Sequence, residues 1–171
     1  LHPGEAFDYD GKRLTYPDIK LVYWAGGNPF HHHQDLNRLR KAWARPQTII
    51  INEPFWTATA RHADIVFPIT TSLERHDVSF NTFDPYVTPM PQAVQPFAQS
   101  RNDYDVFRGL AERLGFAQQF TQGRDEQAWV RKIFDESKQT AAEHGVELPD
   151  FDAFWHGGHF SVAHQIDESE L

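Results

Sequence analysis

Residues 21–29 read LVYWAGGNP, an apolar run that ends in two glycines, an asparagine and a proline. Two further apolar runs follow, TIIINE at residues 48–53 and DIVFP at residues 64–68, and each ends in a charged or turn-forming residue. Short apolar runs of this kind are typical of buried parallel strands, and open α/β sheets bind ligands at the carboxyl ends of such strands. The sequence therefore predicts an α/β fold, with a mainly parallel sheet flanked by helices in a Rossmann-like three-layer domain that holds a nucleotide.

The residues at the predicted strand ends are suited to a nucleotide. Gly26 and Gly27 lack a Cβ, so their amides can approach a phosphate closely and adopt positive φ values. Asn28 adds an amide side chain to the same turn. Glu53 ends the second strand, where dinucleotide-binding folds often place an acid on the ribose hydroxyls.

Two threonines follow the second strand, at the start of a predicted helix TATARHA. The hydroxyls of Thr57 and Thr59 and the free amides of a helix start can bind an anion. Each feature also has a structural interpretation, since two glycines make a turn and threonines cap helices. Their coincidence at successive strand ends favours a binding site. The G-x-G-x-x-G fingerprint is absent, which weakens the case for an ordinary NAD or FAD site.

Four longer stretches carry a resemblance to a known family. They are YWAGGNPFHHHQDLNRL at 23–39, NEPFWTATARHADIVFP at 52–68, TTSLERHD at 70–77 and RNDYDVFRGLAERLG at 101–115. These stretches resemble the molybdopterin-dependent oxidoreductases of the dimethyl sulfoxide reductase family, in the branch that contains biotin sulfoxide reductase and trimethylamine N-oxide reductase. The likeness runs along nearly the whole chain. One departure is His76, where an asparagine is expected in relatives.

The resemblance implies a function and a set of partners. Enzymes of this family carry two molybdopterin guanine dinucleotides on one molybdenum, whose protein ligand, typically a serine, lies upstream of the matching region. The chain is therefore expected to be a fragment, the central domain that binds one guanine dinucleotide, with the remaining domains of the parent enzyme as partners. The parent is expected to reduce S-oxides or N-oxides, such as biotin or methionine sulfoxide, dimethyl sulfoxide or trimethylamine N-oxide, with an unidentified electron donor. The isolated fragment is expected to be inactive and empty of cofactor.

The resemblance and the strand ends together assign the candidate cofactor-binding residues. Gly26, Gly27 and Asn28 are predicted to contact the pyrophosphate, Glu53 the ribose and Thr57 the same end of the ligand. Asp103 also belongs to this set, because the family places an acid at the matching point where it can hydrogen-bond guanine. A helix cap is an equal alternative for Asp103, which lies in the first turn of a predicted helix.

Three consecutive histidines, His31, His32 and His33, suggest a metal site. Adjacent side chains point in different directions on a helix or strand, so three in a row cannot easily face one ion. No metal site and no catalytic residue is predicted in this chain. For His32, contact with the dinucleotide and simple exposure to solvent are balanced alternatives, and exposure leads for the other two.

Composition limits the classes of partner. The net charge of -8 argues against nucleic acid and anionic membranes, and the chain contains no cysteine for a disulfide or an iron–sulfur cluster. No apolar run approaches the roughly 20 residues needed to span a bilayer. A single domain is predicted over residues 1–156, with a poorly ordered or formerly docked tail at 157–171. The compartment, cytoplasmic or periplasmic, is left open.

Other functions fit the same pattern. The chain could be a free-standing nucleotide-binding module, or an interaction domain that kept the fold and lost the ligand. Neither alternative would have redox activity.

The remaining stretches predict local structure. Asp10 and Gly11 favour a tight turn. Helices are predicted at 34–44, at 102–114 and at 125–144, and the second of these should place Val106, Leu110, Ala111 and Leu114 inward. Residues 82–99 contain four prolines and are predicted to be an extended segment, neither a helix nor a central strand.

Overall fold

The computed structural model describes residues 2–81 and 84–165. The chain divides into two compact units, Leu1–Ile69 and Thr70–Leu171. The described residues form a parallel sheet in the first unit and antiparallel sheets in both. No helix within these residues has the length and apolar character needed to cross a membrane.

The first unit begins with a hairpin and continues with the parallel sheet. Its elements are β1 (Ala6–Tyr9), β2 (Lys12–Thr15), β3 (Leu21–Ala25), α1 (Pro29–His32), α2 (Leu36–Trp43), β4 (Thr48–Glu53), a 3₁₀ helix (Ala60–His62) and β5 (Ile65–Pro68). The hairpin turns at Asp10 and Gly11, both with positive φ, as the sequence predicts.

The parallel sheet has the strand order β3-β4-β5. Leu21 pairs with Thr48, and Ile50 pairs with Ile65, so all three strands run in the same direction. The central strand β4 is the most buried, because Ile49 and Ile51 are buried on one face of the sheet and Asn52 is buried on the other. The prediction of an α/β fold with a parallel sheet flanked by helices is confirmed.

Aromatic rings pack α1 and α2 against the sheet. The Trp43 ring of α2 lies 5.5 Å from the Trp24 ring of β3 and 5.5 Å from the Phe30 ring of α1. Helix α2 begins after Asp35, whose side chain accepts a hydrogen bond from the Arg38 amide.

The segment TATARHA, predicted to be a helix, forms only a short 3₁₀ helix, Ala60–His62.

The second unit combines helices with an antiparallel sheet. Its elements are a 3₁₀ helix (Ser72–Glu74), β6 (Asp77–Phe80), β7 (Tyr86–Met90), α3 (Asp103–Leu114), α4 (Ala117–Thr121), α5 (Glu126–Glu143), α6 (Phe151–Gly157), β8 (Phe160–Ser161) and a 3₁₀ helix (Ala163–Gln165). Phe134 of α5 and Phe154 of α6 are stacked at 4.4 Å and form a core with Val87 and Leu148.

The antiparallel sheet corrects the prediction for residues 82–99. Strand β7 is the central strand of the order β6-β7-β8, although it contains Pro89. Proline lacks an N–H group and is tolerated where a strand has a partner on one side only. Pro89 pairs with Val78 of β6, whereas β8 pairs only with Tyr86 and Val87. Pro89 therefore lies in an edge-like part of the central strand.

Helix α3 begins one residue later than predicted and ends at Leu114 as predicted, but fewer of its residues are buried than predicted. Gly115 terminates the helix in a left-handed conformation with φ 82°. Ala111 is buried, whereas Leu110 is 38% exposed and Leu114 is 63% exposed. The prediction that Leu110 and Leu114 face inward is wrong, because only the stripe around Ala111 is buried in this unit.

The long helix α5 and the segment after it complete the second unit. Asp125 caps α5 by accepting a hydrogen bond from the Ala128 amide, and Gly145 follows its end with φ 77°. Within the predicted tail at 157–171, Phe160 and Ser161 pair with β7 and so belong to the sheet. Residues 166–171 lie outside the described part of the chain. The domain boundaries of the parent protein stay a prediction.

Candidate functional site

The turn after β3 has the conformation that only glycine adopts easily. Gly26 has φ 82° and Gly27 has φ 73°, and a Cβ placed on either residue would meet no atom within 4 Å. The backbone here is therefore open to a ligand, and its conformation, more than local crowding, requires glycine. The Trp24 indole N–H donates to the Gly27 carbonyl oxygen at 3.3 Å and closes the turn.

A buried threonine joins this turn to the segment after β4. The Thr59 hydroxyl donates to Asn28 Oδ1 and accepts from the Phe30 amide at 3.4 Å, and the Thr59 side chain is 0% exposed. The Thr59 hydroxyl therefore makes its hydrogen bonds within the protein, which differs from the prediction that it binds an anion. For the Asn28 side-chain nitrogen, the described residues provide no hydrogen-bond acceptor. A contact of Asn28 with a pyrophosphate stays a prediction.

The end of β4 carries a carboxylate with one engaged oxygen. The Thr57 hydroxyl donates to Glu53 Oε2 at 3.1 Å and accepts from the Ala60 amide at 3.2 Å. Within the described residues, Glu53 Oε1 has no hydrogen-bond donor. The structure therefore brings Glu53 and Thr57 together, with the threonine orienting the carboxylate, and the ribose contact of Glu53 stays a prediction.

The histidines after the glycine turn are exposed to solvent. His32 is the last residue of α1, and its neighbours His31 and His33 are exposed as well. Across residues 2–81 and 84–165, no three His, Cys, Asp or Glu side chains are grouped so that they could hold a metal ion. A contact of His32 with a dinucleotide stays a prediction.

Asp103 lies in the second unit, as the first residue of α3. The helix cap position belongs to Asn102, whose backbone oxygen accepts from the Val106 amide at 3.1 Å. Asp103 is thus not the N-cap residue, although a negative charge in the first turn interacts favourably with the helix dipole.

The side chain of Asn102 does not cap the helix. Its Oδ1 accepts from the Thr70 hydroxyl at 2.8 Å, and its Nδ2 donates to Glu126 Oε2 at 2.7 Å. Sequence reasoning missed this network, since an asparagine before a helix indicates a cap and nothing local points to residues 32 positions before it and 24 positions after it.

The neighbours of the network shift the pKa of Glu126. Burial raises the pKa of this carboxyl above its ordinary value, and the Asp105 carboxylate raises it further. The Arg75 guanidinium lowers the pKa, Asp77 raises it, and the hydrogen bond from Asn102 lowers it. Burial is the largest of these effects.

Glu74 and Arg75 form hydrogen bonds and an ion pair within the second unit. Glu74 is buried and accepts from the Thr71 amide at 2.7 Å, the Thr71 hydroxyl at 3.0 Å and the Phe97 amide at 2.7 Å, and these bonds lower the pKa of its carboxyl. Arg75 forms an ion pair with Asp77 at 2.9 Å. The His76 Nδ1 accepts from the Gln92 amide at 3.1 Å.

A separate groove of about 560 Å³ lies in the second unit, between β7 and α5. Tyr86, Val87, Ile133 and Thr140 are among its lining residues, and none of the sequence-predicted site residues is. The sequence-predicted site residues of the first unit are therefore described by their donors, acceptors and glycine conformation, not by this groove.

A comparison with protein families identifies the family of this chain. The sequence model of the family described as Molybdopterin oxidoreductase matches residues 2–113. The chain belongs to the molybdopterin oxidoreductase family. The resemblance inferred from the sequence is therefore confirmed, and the strand ends and Asp103 both lie within the matched region of this molybdopterin oxidoreductase chain.

Similar proteins are sulfoxide and N-oxide reductases. The chain is 49% identical over 172 residues to biotin sulfoxide reductase of Cereibacter sphaeroides, covering 100% of the chain and 23% of that protein. It is 47% identical to dimethyl sulfoxide/trimethylamine N-oxide reductase of Rhodobacter capsulatus (92% and 19% covered). It is 48% identical to trimethylamine-N-oxide reductase of Haemophilus influenzae (91% and 19% covered). This molybdopterin oxidoreductase chain spans about a fifth of the length of these relatives.

A solved structure shares the fold. Acetylene hydratase from Pelobacter acetylenicus matches 86% of the chain and 19% of its own chain, with a TM-score of 0.63 and 19% identity. At this identity the likeness concerns the fold alone, and it agrees with the α/β architecture described above.

Proposed function

We propose that this chain is part of a larger molybdenum oxidoreductase that reduces S-oxides or N-oxides, and that it binds one molybdopterin guanine dinucleotide. The observation that carries the proposal is the sequence identity of 47–49% to biotin sulfoxide reductase and dimethyl sulfoxide/trimethylamine N-oxide reductase along nearly all of the chain. The remaining domains of the parent and an electron donor are the proposed partners.

The strand ends of the first unit fit the dinucleotide chemically. The open backbone at Gly26 and Gly27 suits a pyrophosphate, whose oxygens accept hydrogen bonds from closely approaching amides. The unused nitrogen of Asn28 adds a donor. Glu53 Oε1 is an acceptor for a ribose hydroxyl, and Thr57 holds that carboxylate in place. His32 is an exposed donor or acceptor on the helix that follows the glycine turn.

Asp103 is the proposed guanine-reading residue. A carboxylate can accept two hydrogen bonds from the ring N–H and the exocyclic amine of guanine, a pattern that adenine cannot offer. The structure supports this role because Asn102, and not Asp103, is the N-cap residue of α3. When bound, the molybdenum cofactor supplies the oxygen-transfer and redox chemistry, and the residues of this chain bind and orient it.

The test uses the full-length natural protein that contains this chain. Purified protein should contain molybdenum, and acid hydrolysis of its cofactor should release GMP. Asp103→Asn should retain less guanine cofactor through gel filtration, while its thermal stability stays within about 1 kcal/mol, the scale of a helix-cap effect. A variant that loses stability but keeps its guanine cofactor fully bound would assign Asp103 to the helix.

A further inference from the structure

Asn102 has an unusual place at the start of α3. Its backbone begins the helix, but both ends of its side-chain amide are used by residues distant in sequence, Thr70 and Glu126. We propose that Glu126 is a positioning residue for guanine recognition, because its bond to Asn102 fixes the backbone that carries Asp103. This inference rests on the proposed function of Asp103.

The geometry of the network supports a positioning role. Thr70 is buried, with 2% of its surface exposed, and its amide donates to the Arg101 carbonyl oxygen at 3.1 Å. Its hydroxyl then holds Asn102 Oδ1 at 2.8 Å. The two residues before Asp103 are therefore anchored in succession, one through its backbone and one through its side chain. Glu126 provides the second anchor of Asn102, at 2.7 Å from Nδ2.

The network replaces an ordinary helix cap. An asparagine at this position commonly accepts a hydrogen bond from an amide in the first turn of its own helix, which stabilises a helix by about 1 kcal/mol. Here Asn102 makes no such bond. Its amide instead ties the start of α3 to Glu126, the first residue of α5. The helix start is thereby fixed to another element of the same unit, which holds the Asp103 backbone in one place.

The charge state of Glu126 affects how firmly it holds Asn102. A hydrogen bond to an ionised carboxylate is stronger than one to a neutral carboxyl group. The charged groups that face Glu126 are Asp105 on α3, Arg75 after the 3₁₀ helix, and Asp77 on β6. Burial and the two aspartates raise the pKa of Glu126, so its bond to Asn102 should weaken as the pH falls toward that raised pKa.

The experiment measures GDP binding by the cofactor-free full-length protein. Glu126→Ala should bind GDP about fivefold more weakly, the ratio that corresponds to one hydrogen bond of ordinary net strength. Glu126→Gln keeps an acceptor oxygen, so it should remain within about twofold of the parent at neutral pH. It should also lose the decline in affinity that the parent shows as the pH falls. Glu143→Ala, which removes an exposed acid at the other end of the same helix, is the matched control.

The variants separate this inference from the proposed function. If Asp103→Asn weakens GDP binding but Glu126→Ala matches Glu143→Ala, the positioning role is wrong and the proposed function stands. If Asp103→Asn binds GDP like the parent, Asp103 does not read guanine and the role of Glu126 is refuted with it. Should Glu126→Ala fail to fold, Asn102→Asp keeps an acceptor for Thr70 but replaces the Nδ2 donor by a carboxylate oxygen that repels Glu126. This variant should weaken GDP binding at least fivefold, and unchanged binding would overturn the proposal.

Discussion

The hydroxyl of buried Thr59 donates a hydrogen bond to Asn28 Oδ1 and joins the turn after β3 to the segment after β4. The same hydroxyl accepts from the amide of Phe30, which is also buried. One side chain thus satisfies two polar groups of the segment that directly follows the two glycines. The buried Thr59 hydroxyl thus fixes the end of the turn, and the Asn28 side-chain nitrogen has no acceptor among the described residues.

This relationship predicts the effect of Thr59→Val. Valine has a similar shape but no hydroxyl, so the Phe30 amide and Asn28 Oδ1 would lose a partner. Leaving a buried polar group unsatisfied costs about 1–3 kcal/mol. Urea denaturation of the 171-residue chain should show a loss of that size, and the full-length variant should retain less guanine cofactor.

Thr59→Ser is the control for this prediction. Serine keeps the hydroxyl and loses one buried methyl group, so its cost should be about 0.8 kcal/mol and its cofactor content should be unchanged. Equal stability of the valine and serine variants would show that the hydroxyl does not hold the turn.

A second prediction concerns the acid at the end of β4. Replacing Glu53 by alanine removes the acceptor that Thr57 orients, so the full-length enzyme should bind its cofactor more weakly by about 1.5 to 3 kcal/mol, the strength of a hydrogen bond to a charged group. The fold should survive, because Glu53 is only half-buried. The measurement is the GMP released per molecule of purified protein, together with the melting temperature.

Glu143→Ala controls for the loss of one negative charge, since Glu143 is exposed at the end of α5. A Glu53→Ala enzyme with a full complement of cofactor and the parent's melting temperature would show that Glu53 is not a ligand.

Much of the first unit could be predicted because its signals are local. A run such as TIIINE is buried on both faces, and two adjacent glycines with positive φ require little context. The family could be predicted as well, since long stretches of matching sequence carry it.

The parts that could not be predicted depend on distant contacts. Pro89 is tolerated in a central strand only because β8 is short, and Leu110 is exposed because no described element of the unit covers that side of α3. Asn102 is a residue type that commonly caps helices, but its side chain bonds to Thr70 and Glu126, which are distant in sequence. In each example the outcome is set by which element packs nearby, and the local sequence does not encode that.

A third prediction concerns the metal content of the isolated chain. The molybdenum ligand of the family is expected outside these residues, and no metal-binding group of side chains lies within residues 2–81 and 84–165. The purified 171-residue chain should therefore contain no stoichiometric molybdenum and show no oxide reductase activity. Plasma mass spectrometry that found one molybdenum per chain would contradict this.

The last prediction uses the pH dependence of stability at Glu74. Amides of Thr71 and Phe97 and the Thr71 hydroxyl lower the pKa of this carboxyl in the folded chain. Its stabilising effect is therefore complete above the unfolded pKa of about 4.3 and is lost as the pH falls through the lower folded pKa. Glu74→Gln should melt at a lower temperature than the parent at neutral pH, since its NH₂ group cannot accept those bonds, and the difference should shrink in acid. The measurement is the melting temperature across this pH range, and Glu112→Gln, at an exposed position, is the control. If the melting temperatures of the two variants changed in parallel at every pH, the role of Glu74 would be refuted.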